Sequence, residues 1–230
     1  MKPNQTWNSL QEEIVRCRRC PRLREHCEEV SREKRAAYRD EEYWGKPVPD
    51  FGSSEGRLLI VGLAPGAHGA NRTGRMFTGD RSGDFLYRAL YETGFANQAE
   101  SIERGDGLHL SDCAVTAAVR CAPPKNRPTA DEIGNCSGFF ERTVGAMPGL
   151  AGLVALGGIA FQACVRLYRK KGWLSGKAPS FGHGALFAPP GAPFLIASYH
   201  PSQQNTFTGR LTREMLRGVF EEAARRIEGG

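Results

Sequence analysis

The 230-residue sequence lacks any run of about 20 consecutive apolar residues, the length that a membrane-spanning helix needs. Its first residues, MKPNQTWNSLQEE, are polar and lack the apolar region of a secretory signal peptide. We therefore expect a soluble, cytoplasmic protein that has no membrane partner. The length suits one sizeable α/β domain, and 40% hydrophobic residues are enough for an ordinary packed core.

Both common phosphate-binding motifs are also missing. The apolar run RLLIV leads into a glycine-rich segment, GLAPGAHGANRTGRMFTGD, at residues 62–80. No lysine occurs between Arg57 and Lys125, which excludes a P-loop there, and the glycine spacing does not match the GxGxxG of dinucleotide-binding proteins. A glycine-rich turn is common after a strand, but a turn alone does not explain Phe77 so close to Asp80. An aromatic ring, a carboxylate and exposed backbone amides favour a pocket for a planar heterocycle.

Acidic residues are outnumbered by basic ones. The sequence has 25 Asp and Glu against 31 Lys and Arg, a formal net charge of +6. Arginine dominates the basic set, and its planar guanidinium suits phosphate recognition. This modest excess is typical of nucleic-acid binding and equally of ordinary solubility.

Seven cysteines, an odd number, cannot all pair in disulfides, which the cytosol disfavours in any case. Cys17 and Cys20 form a CxxC motif, and Cys121 and Cys136 form a separate, later pair. Four thiolates of this kind favour a tetrahedral metal site that joins the N-terminal helix to the later loop, with zinc and an iron–sulfur cluster both allowed. Four buried structural thiols are the alternative. The other three cysteines fall in helix or strand patterns and are predicted to be ordinary structural residues: Cys27, Cys113 and Cys164.

After a charged, mainly helical segment at residues 1–50, apolar runs alternate with helical patterns. Residues 57–64, 109–119, 152–157 and 194–200 are predicted strands. The alternation predicts a single α/β domain with a central, mainly parallel four-stranded sheet flanked by helices. The carboxyl ends of parallel strands meet at one edge, where such sheets bind ligands. The loops expected there contain GLAPGAHG, RCAPPKNRP and HPSQQN.

His200 ends the fourth predicted strand, directly before Pro201. A lone histidine usually has only a structural role, with its hydrogen bonds made within the fold. This one lies at the sheet edge where the pocket is expected, which favours a functional role. The polar residues that follow are predicted to contact DNA: Ser202, Gln203, Gln204, Asn205 and Arg210.

Together, GLAPGAHGANRTGRMFTGD, the CxxC with its later cysteine pair, VRCAPPKNRPT and SYHPSQQNTFTGRLT resemble the family 5 (type B) uracil-DNA glycosylases, which are base-excision repair enzymes. The resemblance runs from Cys17 to about Thr212. It implies one domain over residues 1–230, with the three-layer sandwich of uracil-DNA glycosylases. It also implies a structural [4Fe–4S] cluster, with zinc as the less favoured occupant. The cluster ligands implied by the resemblance are Cys17, Cys20, Cys121 and Cys136.

The same resemblance implies roles for four residues of the pocket. Phe77 matches the aromatic that stacks on the extruded base, and His200 matches the histidine near the pyrimidine O2. Asp80 matches the acid that positions the attacking water, and Asn126 matches a residue near that water. The implied partner is double-stranded DNA, and also single-stranded DNA, that contains uracil or another damaged base. We expect a monomer that associates with the nucleoid when bound to DNA.

Two positions depart from the related family 4 enzymes. Those enzymes carry a Glu where this sequence has Leu63, and an Asn that reads the uracil edge where this sequence has Ala117. Losing a buried hydrogen-bonding group removes a filter against other bases. Backbone groups at Gly62, Ala64 and Gly66 are therefore expected to read the base. We expect a range wider than uracil, such as hypoxanthine, xanthine or etheno-cytosine.

Two other functions are compatible with the pattern. One is an α/β enzyme that acts on a free nucleotide and uses the glycine-rich loop for its phosphate. The other is a DNA-binding module stabilised by a metal and without catalytic activity. The second leaves the occurrence of both Asp80 and His200 unexplained.

Overall fold

The computed structural model describes residues 3–229, where eight α-helices surround a six-stranded sheet. The helices are α1 (Pro3–Arg16), α2 (Pro21–Glu33), α3 (Ala70–Thr73), α4 (Arg81–Glu92), α5 (Ala130–Gly145), α6 (Gly158–Lys170), α7 (Gln203–Phe207) and α8 (Arg213–Glu228). The strands are β1 (Phe51–Gly52), β2 (Leu58–Gly62), β3 (Cys113–Ala117), β4 (Gly152–Leu156), β5 (Leu186–Phe187) and β6 (Phe194–Ser198). Within the described residues, no helix has both the length and the apolar character that crossing a membrane requires.

The sheet has the order β1-β3-β2-β4-β6-β5. Its four inner strands are parallel, and each lies within one of the four predicted strands, so the mainly parallel α/β fold is confirmed. The predicted count of four strands is wrong, because β1 and β5 pair antiparallel at the two edges. Each of these edge strands has only two residues, too few to show any periodicity in the sequence.

Strand β2 shows why the inner strands are uninterrupted apolar runs. Leu58 and Ile60 pack into a core cluster with residues of α4 and α8, whereas Leu59 and Val61 pack into a second cluster with residues of α5 and α6. Successive side chains of a strand point to opposite faces of the sheet. Both faces are therefore covered by helices, which gives the three-layer sandwich.

The N-terminal segment at residues 1–50, predicted to be mainly helical, is helical only in part, since α2 ends at Glu33. Lys34 has a φ of +52°, in the left-handed region that an α-helix does not use, and it ends the helix. A short 3₁₀ turn, Ala36–Tyr38, follows. Pro21 is the first residue of α2, a position that proline favours because no backbone donor is needed there.

A buried ion pair connects this segment to the sheet. Asp50 pairs with Arg120, and both side chains are almost fully buried. Asp50 also accepts hydrogen bonds from Thr143 Oγ1 of α5 at 2.8 Å and from Gln11 Nε2 of α1 at 3.1 Å. The carboxylate therefore holds two helices and the loop after β3 in one arrangement.

We expect Asp50→Ala to lower the free energy of unfolding by about 3–5 kcal/mol, because it leaves the Arg120 guanidinium buried without its partner. Denaturant unfolding followed by circular dichroism measures the change. The control is Glu12→Ala, which removes an exposed pair with Arg16 and should leave the midpoint unchanged. A similar midpoint for both variants would contradict a structural role for the buried pair.

Candidate active site

A cleft of about 570 Å³ lies at the carboxyl edge of the parallel strands. Its walls come from the glycine-rich loop after β2, the start of α4, the loop after β3 and the segment after β6. The topology therefore brings together the three loops that the sequence singled out. The lining residues that were predicted as functional are Ala64, Gly66, Phe77, Asp80, Asn126, His200, Ser202, Gln203 and Gln204.

Phe77 forms one wall of the cleft, and its backbone is in the left-handed region with a φ of +53°. The ring packs directly on Gly62, since a Cβ on Gly62 would lie 2.7 Å from Phe77 Cε2. The Tyr87 hydroxyl donates to the Met76 carbonyl at 2.7 Å and fixes the chain just before the ring. Gly62 thus leaves space for the aromatic ring and does not itself line the cleft.

Asp80 both caps a helix and lines the cleft. Its Oδ1 accepts the backbone amide of Gly83 at 3.0 Å, which caps the N-terminus of α4. Its Oδ2 lies so close to the glycine-rich loop that a Cβ would come within 2.8 Å of it from Gly66 and 2.1 Å from Gly69. Burial raises the pKa of the Asp80 carboxyl, and the backbone amides of Gly83 and Ser82 oppose this shift. The two glycines therefore lie against one side of the Asp80 carboxylate, while Asp80 itself lines the cleft.

His200 lies opposite Phe77 in the cleft. The two ring centroids are 6.0 Å apart, with an angle of 32° between the planes. Asn205 Nδ2 donates to the His200 carbonyl at 2.8 Å. Gly157, with a φ of +94°, gives the histidine room, because a Cβ there would be 3.2 Å from His200 Cβ. Burial lowers the pKa of His200 to about 4, so the ring is neutral at pH 7.

Four residues predicted to take part lie outside the lining of the cleft. Gly62 and Ala117 are buried beneath it, and Ala117 belongs to the same core cluster as Phe77. Asn205 supports the His200 backbone, and the Arg210 guanidinium lies over the Tyr199 ring at 4.6 Å. Gly62 and Ala117, which we predict from the sequence to be substrate-binding residues, are thus covered by other parts of the site, and their contact with the base stays a prediction.

The cleft also contains residues that the sequence did not single out: Leu63 as a wall, Met76, Arg81 and Ser82. Arg81 directly follows Asp80 as the first residue of α4. A second cleft of about 600 Å³ adjoins the first and shares Asp80 and Arg81 with it. The sequence contains one indication that Arg81 and Ser82 belong to the site: they directly follow Asp80.

The four predicted ligand cysteines line one small cavity. Arg24 and Arg120 also line it, and each is buried with one donor nitrogen, Nη1 and Nε respectively, that has no hydrogen-bond partner in the described structure. Asn135 Nδ2 donates to Cys20 Sγ at 3.5 Å. Among residues 3–229, no three His, Cys, Asp or Glu side chains are arranged to hold a single metal ion. The cavity thus combines four thiols with positive charge and unused donors.

We expect the His200 ring to titrate near pH 4 in the folded protein, because burial disfavours its charged form. Since this pKa is below the usual 6.5, the resulting stability is present above pH 6.5 and is lost as the pH falls toward 4. The measurement is an NMR titration of the ring protons, assigned with the His200→Ala variant. A midpoint near 6.5 would contradict the buried placement.

Comparison with known proteins agrees with this geometry. Residues 49–224 match the sequence model of the Uracil DNA glycosylase superfamily. A Type-5 uracil-DNA glycosylase of Thermus thermophilus is 51% identical over 92% of this chain and 94% of its own length. A Type-5 uracil-DNA glycosylase of Pyrobaculum aerophilum is 42% identical over 96% and 94%. A Type-4 uracil-DNA glycosylase of the same organism is 28% identical over 82% of this chain and 85% of its own length. The chain therefore belongs to the uracil-DNA glycosylase superfamily and to its type-5 branch.

Proposed function

We propose that this protein is a base-excision repair enzyme that hydrolyses the N-glycosyl bond of uracil in DNA and leaves an abasic site. The observation that carries the proposal is the arrangement of Phe77, Asp80 and His200 around one cleft. The relatives named as uracil-DNA glycosylases cover nearly the whole chain, which supports the same reaction. The bond is unreachable inside a duplex, so the enzyme must extrude the nucleotide.

Phe77 receives the extruded base. Its ring is fixed by the packing on Gly62 and faces the His200 ring across the cleft. Stacking on an aromatic side chain contributes about 1–3 kcal/mol per base, which offsets part of the few kcal/mol that extrusion costs. Because the ring is already in place, little further ordering accompanies binding.

Bond breaking places negative charge on the departing base and positive charge on the sugar. The neutral His200 ring donates a hydrogen bond to the base oxygen that gains this charge. Removing one such donor typically costs about 3 kcal/mol of transition-state stabilisation. A neutral ring keeps its proton on the enzyme during the reaction, so His200 acts as a hydrogen-bond donor.

Asp80 provides a negative charge that complements the positive charge on the sugar. In its ionised form, which the Gly83 and Ser82 amides favour against the burial that raises its pKa, the Asp80 carboxylate orients a water molecule and stabilises the cationic sugar. Asn126, in the loop after β3, lines the same cleft. Asn126 therefore holds the other side of the water.

In this cleft, backbone groups recognise the base in place of hydrogen-bonding side chains. Leu63 is a wall without a hydrogen-bonding group, and Ala117 is buried beneath Phe77. The base edge is read by the backbone beside Ala64 and Gly66, which line the cleft. Because no side chain of this kind rejects the wrong base, the cleft admits other deaminated or damaged bases, including hypoxanthine, xanthine and etheno-cytosine.

We expect Asp80→Asn to slow the release of uracil by about 100-fold or more while binding to uracil-containing duplex is retained, since asparagine keeps the cap of α4 but not the charge. Single-turnover release of the base and fluorescence anisotropy measure the two effects. Asp131→Asn, which makes the same change in the first turn of α5, is the control. An unchanged release rate would remove Asp80 from the mechanism.

We further propose that Cys17, Cys20, Cys121 and Cys136 hold a [4Fe–4S] cluster. The unused donors of Arg24 and Arg120 in the cavity wall support an anionic, thiolate-bound group, to which they would hydrogen-bond. Bound to these four cysteines, the cluster would supply a structural cross-link between the α1–α2 link, the loop that follows β3 and α5.

Purified protein is expected to be brown, to absorb broadly near ~400 nm and to contain about four iron atoms per chain. Cys121→Ala should lose the iron and the absorption, because the cavity then lacks one thiolate. Cys164→Ala should keep both, since Cys164 lies on α6, within a core cluster away from the cavity. A colourless protein that contains one zinc ion would contradict the cluster.

The two alternative functions receive less support. An enzyme of free nucleotides would bind phosphate in the glycine-rich loop, but Gly66 and Gly69 enclose the Asp80 carboxylate there. A non-catalytic module gives no reason for an acid and a neutral histidine in one cleft. We propose that the enzyme acts as a monomer in the cytoplasm, on double-stranded and single-stranded DNA at the nucleoid.

A further inference from the structure

A groove of about 390 Å³ lies between α5 and α6, on the face of the sheet that these two helices cover. Its floor consists of four buried core side chains: Ala118, Phe140, Ala163 and Leu167. None of the described residues that line it also lines either cleft of the candidate active site. The groove is therefore a separate feature of the surface, and its volume falls within the about 300–1,000 Å³ of ligand pockets.

Small residues on α5 keep the groove open. Ala130, Gly134 and Ser137 line it at spacings of four and three residues, which places them on one side of the helix. A Cβ on Gly134 would meet no atom within 4 Å, so no contact within the described chain requires a glycine there. Glycine inside a helix lowers stability relative to alanine. The backbone of α5 is thus left accessible along the groove, where another molecule can approach it closely.

The apolar surface continues beyond the groove along α6. Ile159 lies one helical turn before Ala163 and is 43% exposed, although most large apolar side chains of the described residues are buried. On α5, the half-buried Ile133 lines the groove beside Gly134. An apolar strip therefore runs between the first halves of the two helices.

The wall that α6 contributes is basic. Arg166 and Lys170 line the groove one turn apart, and Arg166 forms no ion pair with any described side chain. Of the described residues that line the groove, only Glu141 is acidic. Lys170 Nζ lies 2.5 Å from Glu141 Oε2, and Lys171 Nζ lies 4.0 Å from Glu141 Oε1. Since two lysines share this one carboxylate, the wall keeps an excess of positive charge.

From the apolar floor and the basic wall we infer that the groove binds an acidic amphipathic helix of a partner protein. Apolar side chains three or four residues apart on such a helix would fill the floor, and its carboxylates would pair with Arg166 and Lys170. The lining runs from Ala130 to Glu141, roughly 16 Å along α5, which is the length of about three helical turns.

Two other occupants fit the groove less well. A second copy of this chain would bring a formal net charge of +6 to a wall that is already basic. DNA would leave the apolar floor without a partner, because its charged phosphates provide most of its contacts with proteins. An acidic amphipathic helix matches both the floor and the wall.

The test measures binding by fluorescence anisotropy, with a labelled helical peptide of about 12 residues as the probe. The probe carries Leu and Phe four residues apart and glutamates at the flanking positions. We expect saturable binding to the wild-type protein and binding weaker by about tenfold or more in Gly134→Leu, because leucine occupies the groove. Leucine also favours a helix more than glycine does, so this variant should fold at least as stably.

The matched control is Gly145→Leu, the same substitution at the last residue of α5. A Cβ there also meets no atom within 4 Å, and Gly145 does not line the groove. This variant should bind the probe as the wild-type protein does.

A second pair of variants tests the charge. Arg166→Glu should weaken binding of the probe by about tenfold, because it places like charges side by side. Arg169→Glu makes the same change on α6 outside the groove and should have little effect. Added salt should weaken binding to the wild-type protein more than to Arg166→Glu. A probe with lysines in place of the glutamates should not bind.

Failure of the wild-type protein to bind the probe, or equal binding by Gly134→Leu, would overturn the inference. A dimer in sedimentation velocity that Gly134→Leu dissociates would also overturn it, because a second copy would then occupy the groove. Weaker binding of duplex DNA by both Gly134→Leu and Arg166→Glu would assign the groove to DNA instead. None of these outcomes depends on the release of uracil, so the inference and the proposed function can fail separately.

Discussion

The position of the Asp80 carboxylate is the constraint on which the site depends. One oxygen caps α4 through the Gly83 amide, and the other fills the space left by Gly66 and Gly69. Any side chain at those glycines would displace it. Because α4 packs with α8 into the core on one face of the sheet, the carboxylate is fixed relative to the strands. The residue that caps α4 is therefore also the residue that faces the cleft.

Two other residues of the cleft, which face each other, are accommodated in the same way by a glycine. Gly157 makes room for His200, and Gly62 makes room for the Phe77 ring. Burial keeps the histidine neutral, and it also raises the pKa of the Asp80 carboxyl, a shift that two backbone amides oppose because they favour its ionised form. An acid and a neutral donor across one cleft are the groups that cleavage of an N-glycosyl bond requires.

Much of this fold could be predicted from the sequence, because buried parallel strands are continuous apolar runs and their carboxyl ends share one edge. Phe77, Asp80 and His200 were found because they lie in unusual loops at that edge. The role of Gly62 was missed, since a glycine in sequence does not reveal which ring lies over it. The contact of Arg81 with Phe207 joins segments far apart in the chain and has no local signal.

The most direct measurement is the chemical analysis of products after the purified protein is mixed with a uracil-containing duplex or with free deoxyuridine monophosphate. The account predicts free uracil from the duplex, an unbroken strand that carries an abasic site, and no uracil from the nucleotide. Release of uracil from the nucleotide but not from DNA, or no release from either, would contradict it.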